Sequence, residues 1–332
     1  MTKVAVIGAG SWGTTFAKVL ADGENEVTLW ARREDIAEEI NSRHRNADYL
    51  PGIKLPVNLK ATSDVSEALA EASQVFLSVP SQSLRGNLAE WGNLISKDAI
   101  LVSLMKGVEQ ETGLRMSEVI AQATKFSEDQ IAVISGPNLA MEIAKEEPTA
   151  SVAASHSLAT ATAVAATASN EYFTAFTNQD VIGTEFGGIL KNLIAVAIGI
   201  VNGVGYGENT KASIMTRGLA EISRFAVAYG AQEGTMIGLA GLGDLIATCE
   251  SPLSRNHKAG EMLGRGYSKR EVLKQMSQTA EGLASVAPVL QLASAKGVEM
   301  PIVEQVLAVL EGRMDPKDIA PHLTNSGKPQ GE

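Results

Sequence analysis

Short, unbroken apolar runs recur through the first half of the chain, and each ends at glycine, proline or charge. Val4-Ala5-Val6-Ile7 stops at Gly8, and Glu26-Val27-Thr28-Leu29-Trp30 stops at Ala31-Arg32-Arg33. Gln74-Val75-Phe76-Leu77-Ser78-Val79 stops at Pro80, Ala99-Ile100-Leu101-Val102-Ser103 leads to Lys106-Gly107, and Ile131-Ala132-Val133-Ile134 leads to Ser135-Gly136-Pro137. Runs this short without polar alternation predict strands buried on both faces, and the helical patterns between them predict parallel crossovers. Two further extended candidates, 150–154 and 172–177, flank an alanine- and threonine-rich helical stretch at 157–168 and are expected to extend or edge the sheet. From Val181 onward strand-like runs vanish and long helical patterns take over, punctuated by glycine at 203–207, 238–243 and 264–266.

Between the first run and a helical pattern from Thr14 to Ala21 lies Gly8-Ala9-Gly10-Ser11-Trp12-Gly13. Strand, glycine turn and helix leave backbone N–H groups at a helix N-terminus with no side chain in the way, so a pyrophosphate can approach and be held by the helix dipole. A plain tight turn would also use glycine, but a strand before, a helix and a second strand after are the context of a βαβ unit. The fold expected is α/β: an N-terminal Rossmann-like, doubly wound, mainly parallel sheet over 1–180 that binds a dinucleotide, then an all-α C-terminal domain over 181–332 that binds substrate. Where an NAD-preferring fold places a carboxylate for the ribose hydroxyls, this chain has Arg32 and Arg33. Guanidinium groups can pair with a 2′-phosphate, which implies that NADPH is accepted beside NADH; the other reading is a solvated start to the charged helix Arg33-Glu34-Asp35.

Size and composition narrow the class. A chain of 332 residues exceeds the usual domain range and predicts two domains. A charged fraction of 20% beside 45% hydrophobic residues suggests neither disorder nor a membrane protein. The formal net charge of −10 opposes general nucleic-acid binding, so an anionic ligand must be met by local positive groups. One cysteine, Cys249, excludes an internal disulfide and fits a reducing cytoplasm; it reads as a small core residue or as a nucleophile. The four histidines show no zinc spacing, and the first residues lack the pattern of a secretory leader. The small, polar residues 324–332 are expected to fray.

Lys191 is out of place in Phe186-Gly187-Gly188-Ile189-Leu190-Lys191-Asn192-Leu193-Ile194-Ala195, one of the most apolar helical stretches of the chain. Gly187, Gly188 and Ala195 form a notch beside its stem, and glycine in a helix interior costs about 1 kcal/mol relative to alanine, so some close approach, by a ligand among other possibilities, is expected there. Two readings fit: a desolvated lysine suited to acid/base chemistry, or one that snorkels to water. Farther on, Gly238-Leu239-Ala240-Gly241-Leu242-Gly243 delivers Asp244 to an expected helix N-cap, a role that would suffice to explain it. Ser254-Arg255-Asn256 then opens a helix with a hydroxyl, a guanidinium and an amide, groups able together to hold a phosphate or carboxylate.

In order along the chain, these motifs resemble the soluble, bacterial-type NAD(P)-dependent glycerol-3-phosphate dehydrogenase family. The resemblance runs from Val4 to about Glu311 and rests on the Gly8–Gly13 turn, Lys106-Gly107, Ser135-Gly136-Pro137, Leu190-Lys191-Asn192, Gly241-Leu242-Gly243-Asp244, Ser254-Arg255-Asn256 and Glu281-Gly282. It implies interconversion of sn-glycerol 3-phosphate and dihydroxyacetone phosphate, with flux towards glycerol 3-phosphate for phospholipid synthesis, and a cytoplasmic homodimer. By the same resemblance Lys191 exchanges the proton at the substrate C2 oxygen. Lys106, Gly136, Asn138, Asp244, Ser254, Arg255 and Asn256 join it around the substrate. Gly8, Gly10, Ser11, Trp12, Gly13, Arg32, Arg33, Lys106, Ala140, Arg255 and Glu281 line the cofactor, NADPH or NADH, and no metal is implied. Asn138 departs from the serine or threonine the family often has there, so a hydroxyl contact becomes an amide contact or is lost. The competing readings are a related two-domain hydroxyacid dehydrogenase, against which Ser254-Arg255-Asn256 argues, and a non-catalytic dinucleotide sensor, which has no need of Lys191, Asp244 and an anion site together.

Overall fold

The computed structural model describes residues 2–252, 254–276 and 281–320, so the tail at 324–332 lies outside the described residues. The chain divides into two compact units, Met1–Glu185 and Phe186–Glu332.

The first unit holds strands β1 (Lys3–Ile7), β2 (Glu26–Trp30), β3 (Lys60–Thr62), β4 (Gln74–Leu77), β5 (Ile100–Ser103), β6 (Ile131–Ser135), β7 (Thr149–Ser155) and β8 (Phe173–Asn178). They form one sheet in the order β3-β2-β1-β4-β5-β6-β7-β8. β1 to β6 run parallel, β7 is antiparallel to β6, and β8 follows β7. The connecting helices are α1 (Ser11–Asp22), α2 (Glu34–Arg43), α3 (Val65–Leu69), α4 (Leu84–Trp91), α5 (Met116–Thr124), α6 (Ala140–Ala144) and α7 (Leu158–Ala168).

The lack of polar alternation in the strands now has its reason. Val4 and Val6 enter a core on one face with Phe16, Val27, Leu29 and Phe76. Ala5 and Ile7 enter a second core on the other face with Val75, Leu77, Leu84, Leu88 and Trp91. Phe16, fully buried, joins the first core by ring contacts at 5.3 Å to Phe76 and 5.8 Å to Phe173. Burying such a ring contributes about 1.5–3 kcal/mol. The strand not foreseen, β3, is a three-residue edge whose middle residue alone is buried, so it carries no apolar run.

The second unit is helical throughout its described residues. Its helices are α8 (Val181–Val204, which starts in the first unit), α9 (Glu208–Ala228), α10 (Glu233–Met236), α11 (Asp244–Glu250), α12 (Arg255–Gly264), α13 (Lys269–Gln275), α14 (Glu281–Ala295) and α15 (Pro301–Leu310). By length and composition α8 could cross a membrane, but 83% of its apolar window is buried within the fold, as befits a core helix.

Glu221 of α9 accepts the backbone N–H groups of Ile302 at 2.9 Å and Val303 at 3.1 Å, capping α15 from outside. Burial raises its carboxyl pKa to about 7. A folded-state value above the unfolded one means that the native chain holds this proton more tightly, so stability falls as pH rises from about 4.5 to about 7. The expected size is up to ~3 kcal/mol. Carboxylates held below their ordinary range, Asp64 by the Ser66 hydroxyl and N–H and Glu109 chiefly by Arg85, lose stability only at lower pH, whereas the Glu185 carboxyl, which burial also pushes up, adds to the loss in the same direction as Glu221. Urea unfolding at pH 5 and pH 7.5 should therefore show a loss on going to pH 7.5 that Glu221→Gln reduces. An equal loss in the variant would assign the dependence to other groups.

Candidate active site

Because β1 to β6 run parallel, the loops after β1, β2, β4, β5 and β6 leave from one edge of the sheet. That edge receives the glycine turn, Arg32-Arg33, Pro80, Lys106 and Gly136. Gly8 adopts φ of +117°, and a Cβ there would lie 2.4 Å from the Ser78 carbonyl oxygen. At Gly13 a Cβ would lie 1.8 Å from the Gly8 carbonyl oxygen, so side chains at both positions are excluded. Gly10 is different: it is the N-cap of α1, and a Cβ there would meet nothing within 4 Å. No side chain caps α1 and no acidic residue occupies its first turn. An uncompensated dipole facing open space fits a pyrophosphate.

Neighbouring groups fix this turn. Trp12 Nε1 donates to the Leu104 carbonyl after β5 at 3.2 Å, and the Ser11 hydroxyl donates to the Tyr49 carbonyl at 2.6 Å. Ala140, the first residue of α6, accepts from the Thr15 hydroxyl at 3.2 Å, which holds α6 against α1. Arg32 is exposed; Arg33, at the backbone N-cap of α2, is ion-paired with Asp35 and, at 2.8 Å, with Asp48. Lys106 Nζ donates to the Gly136 carbonyl at 3.0 Å. Beside it, Asn138 Nδ2 donates to Ser151 Oγ at 3.1 Å, and the Ser151 hydroxyl donates to the Ser135 carbonyl at 3.1 Å. That chain of donors orients the amide and leaves Asn138 Oδ1 buried without a protein partner.

In the second unit Lys191 is 6% exposed and Asp244 1%, and the two form an ion pair. Lys191 Nζ also donates to Thr248 Oγ1 at 2.6 Å. This corrects one expectation and rules out one of the two readings of the lysine. Asp244 does not act as an N-cap: it is the first residue of α11, Gly243 stands at the cap, and the carboxylate is taken by the ammonium. The lysine does not snorkel to water. The close approach at Gly187 is by backbone, since a Cβ there would lie 2.3 Å from the Ala240 carbonyl oxygen. A single π-helical turn, Leu239–Gly243, precedes Asp244; such turns concentrate at functional sites. Thr248 escaped the sequence reading, although its place four residues after Asp244 on one helix face was a usable signal.

Ser254 caps α12 by accepting from the His257 N–H at 3.2 Å, Arg255 is exposed at the first turn, and Asn256 is buried. Asn256 donates to Asn192 Oδ1 at 2.8 Å and accepts from the Gly282 N–H at 3.0 Å. These bonds link the start of α12 to the residue after Lys191 and to the start of α14, where Glu281 is the first helical residue. Cys249 is buried and its thiol is pushed up to about 12 by that burial, so it stays protonated near neutrality and behaves as a core residue. The residues singled out in sequence thus fall into two sets, one at the strand ends of the first unit and one around α8, α11 and α12 of the second.

A doubly wound sheet with an uncapped helix behind a glycine turn, followed by a helical unit that buries an ammonium–carboxylate pair, defines a two-part dinucleotide-dependent dehydrogenase. Residues 3–161 match the NAD-dependent glycerol-3-phosphate dehydrogenase N-terminus, and residues 180–321 match the NAD-dependent glycerol-3-phosphate dehydrogenase C-terminus. The chain belongs to the NAD-dependent glycerol-3-phosphate dehydrogenase family. It is 66% identical over 327 residues, 98% of this chain and 89% of the relative, to glycerol-3-phosphate dehydrogenase [NAD(P)+] of Leifsonia xyli subsp. xyli. It is 52% identical to the enzyme of the same name from Thermobifida fusca, with 99% of each chain covered. The crystal structure of glycerol-3-phosphate dehydrogenase from Coxiella burnetii superposes with a TM-score of 0.90 at 35% identity, covering 97% of this chain and 98% of that one.

Proposed function

We propose that this chain catalyses reversible hydride transfer between NAD(P)H and dihydroxyacetone phosphate, giving sn-glycerol 3-phosphate, with Lys191 as the proton donor. Family membership supports the reaction, and the buried Lys191–Asp244–Thr248 cluster is the single observation that carries the residue assignment. The dinucleotide, when bound, supplies the hydride to the ketone carbon. Lys191 then gives its Nζ proton to the C2 oxygen as negative charge develops there. Asp244 offsets the cost of burying the ammonium before transfer and, with Thr248, keeps the amine aimed. In the reverse direction the same amine accepts the alcohol proton. The test is loss of NAD(P)H absorbance on adding dihydroxyacetone phosphate; no turnover would remove the proposal.

The remaining assignments follow the same reading. The glycine turn with Ser11 and Trp12, Arg32, Arg33, Ala140 and Glu281 serve the cofactor; Lys106 and Arg255 serve both ligands; Gly136, Asn138, Asp244, Ser254 and Asn256 serve the substrate. Residues 1–180 act as the dinucleotide-binding domain and 181–332 as the substrate domain. Arg255, exposed beside a capped helix start, suits the substrate phosphate. A hydrogen bond to a charged group contributes about 1.5–3 kcal/mol, so Arg255→Ala should raise the KM for dihydroxyacetone phosphate roughly ten- to a hundredfold. Turnover at saturation should fall less. An unchanged KM would move the phosphate elsewhere. We further propose a cytoplasmic homodimer supplying glycerol 3-phosphate for phospholipid synthesis, in keeping with the family and with a chain of one cysteine.

A further inference from the structure

We propose that Asp48, together with Asp35, sets the balance between NADPH and NADH by competing with the 2′-phosphate for the Arg33 guanidinium. This rests on the reading that the loop after β2 receives the adenosine ribose. Arg33 donates from Nη1 to Asp48 Oδ2 at 2.8 Å, and its Nε donates to Asp35 Oδ1 at 3.0 Å. The two carboxylates engage three of the five guanidinium N–H donors and offset its charge, so a phosphate at that place must share the guanidinium with them or displace one, whereas ribose hydroxyls need not. A carboxylate that remained would also repel a 2′-phosphate while accepting from a ribose hydroxyl.

Asp48 is not a chance surface neighbour, because the segment around it is tied down on both sides. Asn46, fully buried, donates to the Ala9 carbonyl inside the glycine turn at 3.0 Å and to Thr14 Oγ1 at 2.9 Å. The Ala47 N–H donates to Glu39 Oε2 of α2 at 3.2 Å. Tyr49 accepts from the Ser11 hydroxyl at 2.6 Å. One short segment therefore grips the pyrophosphate turn through Asn46 and Tyr49 and presents Asp48 to Arg33. Across Arg32, Arg33, Glu34, Asp35 and Asp48 the charges sum to one net negative, so the pair of arginines does not by itself make a phosphate-selective pocket. Because the competing ion pairs are exposed, the effect should be graded rather than all-or-none.

The experiment measures kcat/KM for NADPH and for NADH with saturating dihydroxyacetone phosphate in the parent, Asp48→Asn, Asp35→Asn with Asp48→Asn, and Arg33→Ala. Asparagine keeps the shape of aspartate and removes the charge. The NADPH-to-NADH ratio should rise roughly two- to fivefold in Asp48→Asn, rise further in the double variant, and fall below the parent in Arg33→Ala. A ratio unmoved by both aspartate substitutions but lowered by Arg33→Ala would overturn the competition and leave the arginine reading standing. A ratio unmoved by all three would overturn both.

Discussion

Replacing Lys191 by alanine is expected to lower turnover by roughly 10² to 10⁴, the range over which a positioned proton donor acts. The structure adds a second consequence. Removing the ammonium leaves Asp244, 1% exposed, as a buried carboxylate without its cation, and breaking such a pair costs about 3–5 kcal/mol. Activity and stability should therefore fall together in the single variant, which would blur a catalytic role with a structural one. Lys191→Met combined with Asp244→Asn separates them: the buried charges vanish as a pair, so most of the stability should return, while turnover stays low. Urea unfolding and kcat measured on the three proteins give the answer. Turnover that recovers along with stability would make the lysine a structural residue and end the assignment.

The second large effect is expected where α8 crosses α12. A Cβ on Gly199 would lie 2.1 Å from the His257 carbonyl oxygen, and one on Gly260 would lie 2.1 Å from the Val196 carbonyl oxygen. One turn later, Gly203 and Gly264 meet backbone at 2.2 Å in the same reciprocal way. Each clash is with a carbonyl in a helix, which cannot swing aside as a side chain would. Gly→Ala raises helix propensity by about 1 kcal/mol, but the overpacking is larger, so Gly199→Ala or Gly260→Ala should lose roughly 3 kcal/mol or more. Gly234, inside α10, is the control, since a Cβ there meets nothing within 4 Å. Gly234→Ala should be neutral or stabilise by up to about 1 kcal/mol. Equal effects at Gly199 and Gly234 in thermal unfolding would refute the close crossing.

Those glycines show how far sequence reading reached. Gly203 and Gly264 were visible only as punctuation in a helical pattern, yet each is a place where one helix backbone rests on another. The pairing joins residues about sixty apart, and the separation carries no local signal. Asp244 illustrates the same limit: preceded by glycines and followed by an apolar run, it has every local mark of a cap, but an ammonium on α8 outcompetes the helix N–H groups for its carboxylate. Thr248 shares a helix face with Asp244, but only the fold brings the Lys191 ammonium to its hydroxyl.

Determined by the sequence alone were the doubly wound sheet, its glycine turn, the helical second half and the anomalous lysine. Each rests on interactions within a few residues or on the burial that an unbroken apolar run demands. Only the tertiary structure decided that Lys191 finds Asp244 and Thr248, that Asn138 turns its amide N–H to Ser151, and that Arg33 is held by Asp48. Partners of polar groups are settled when the chain folds back on itself. A buried charge or amide takes whichever complementary group the packing brings within reach, and that choice is written in no single segment.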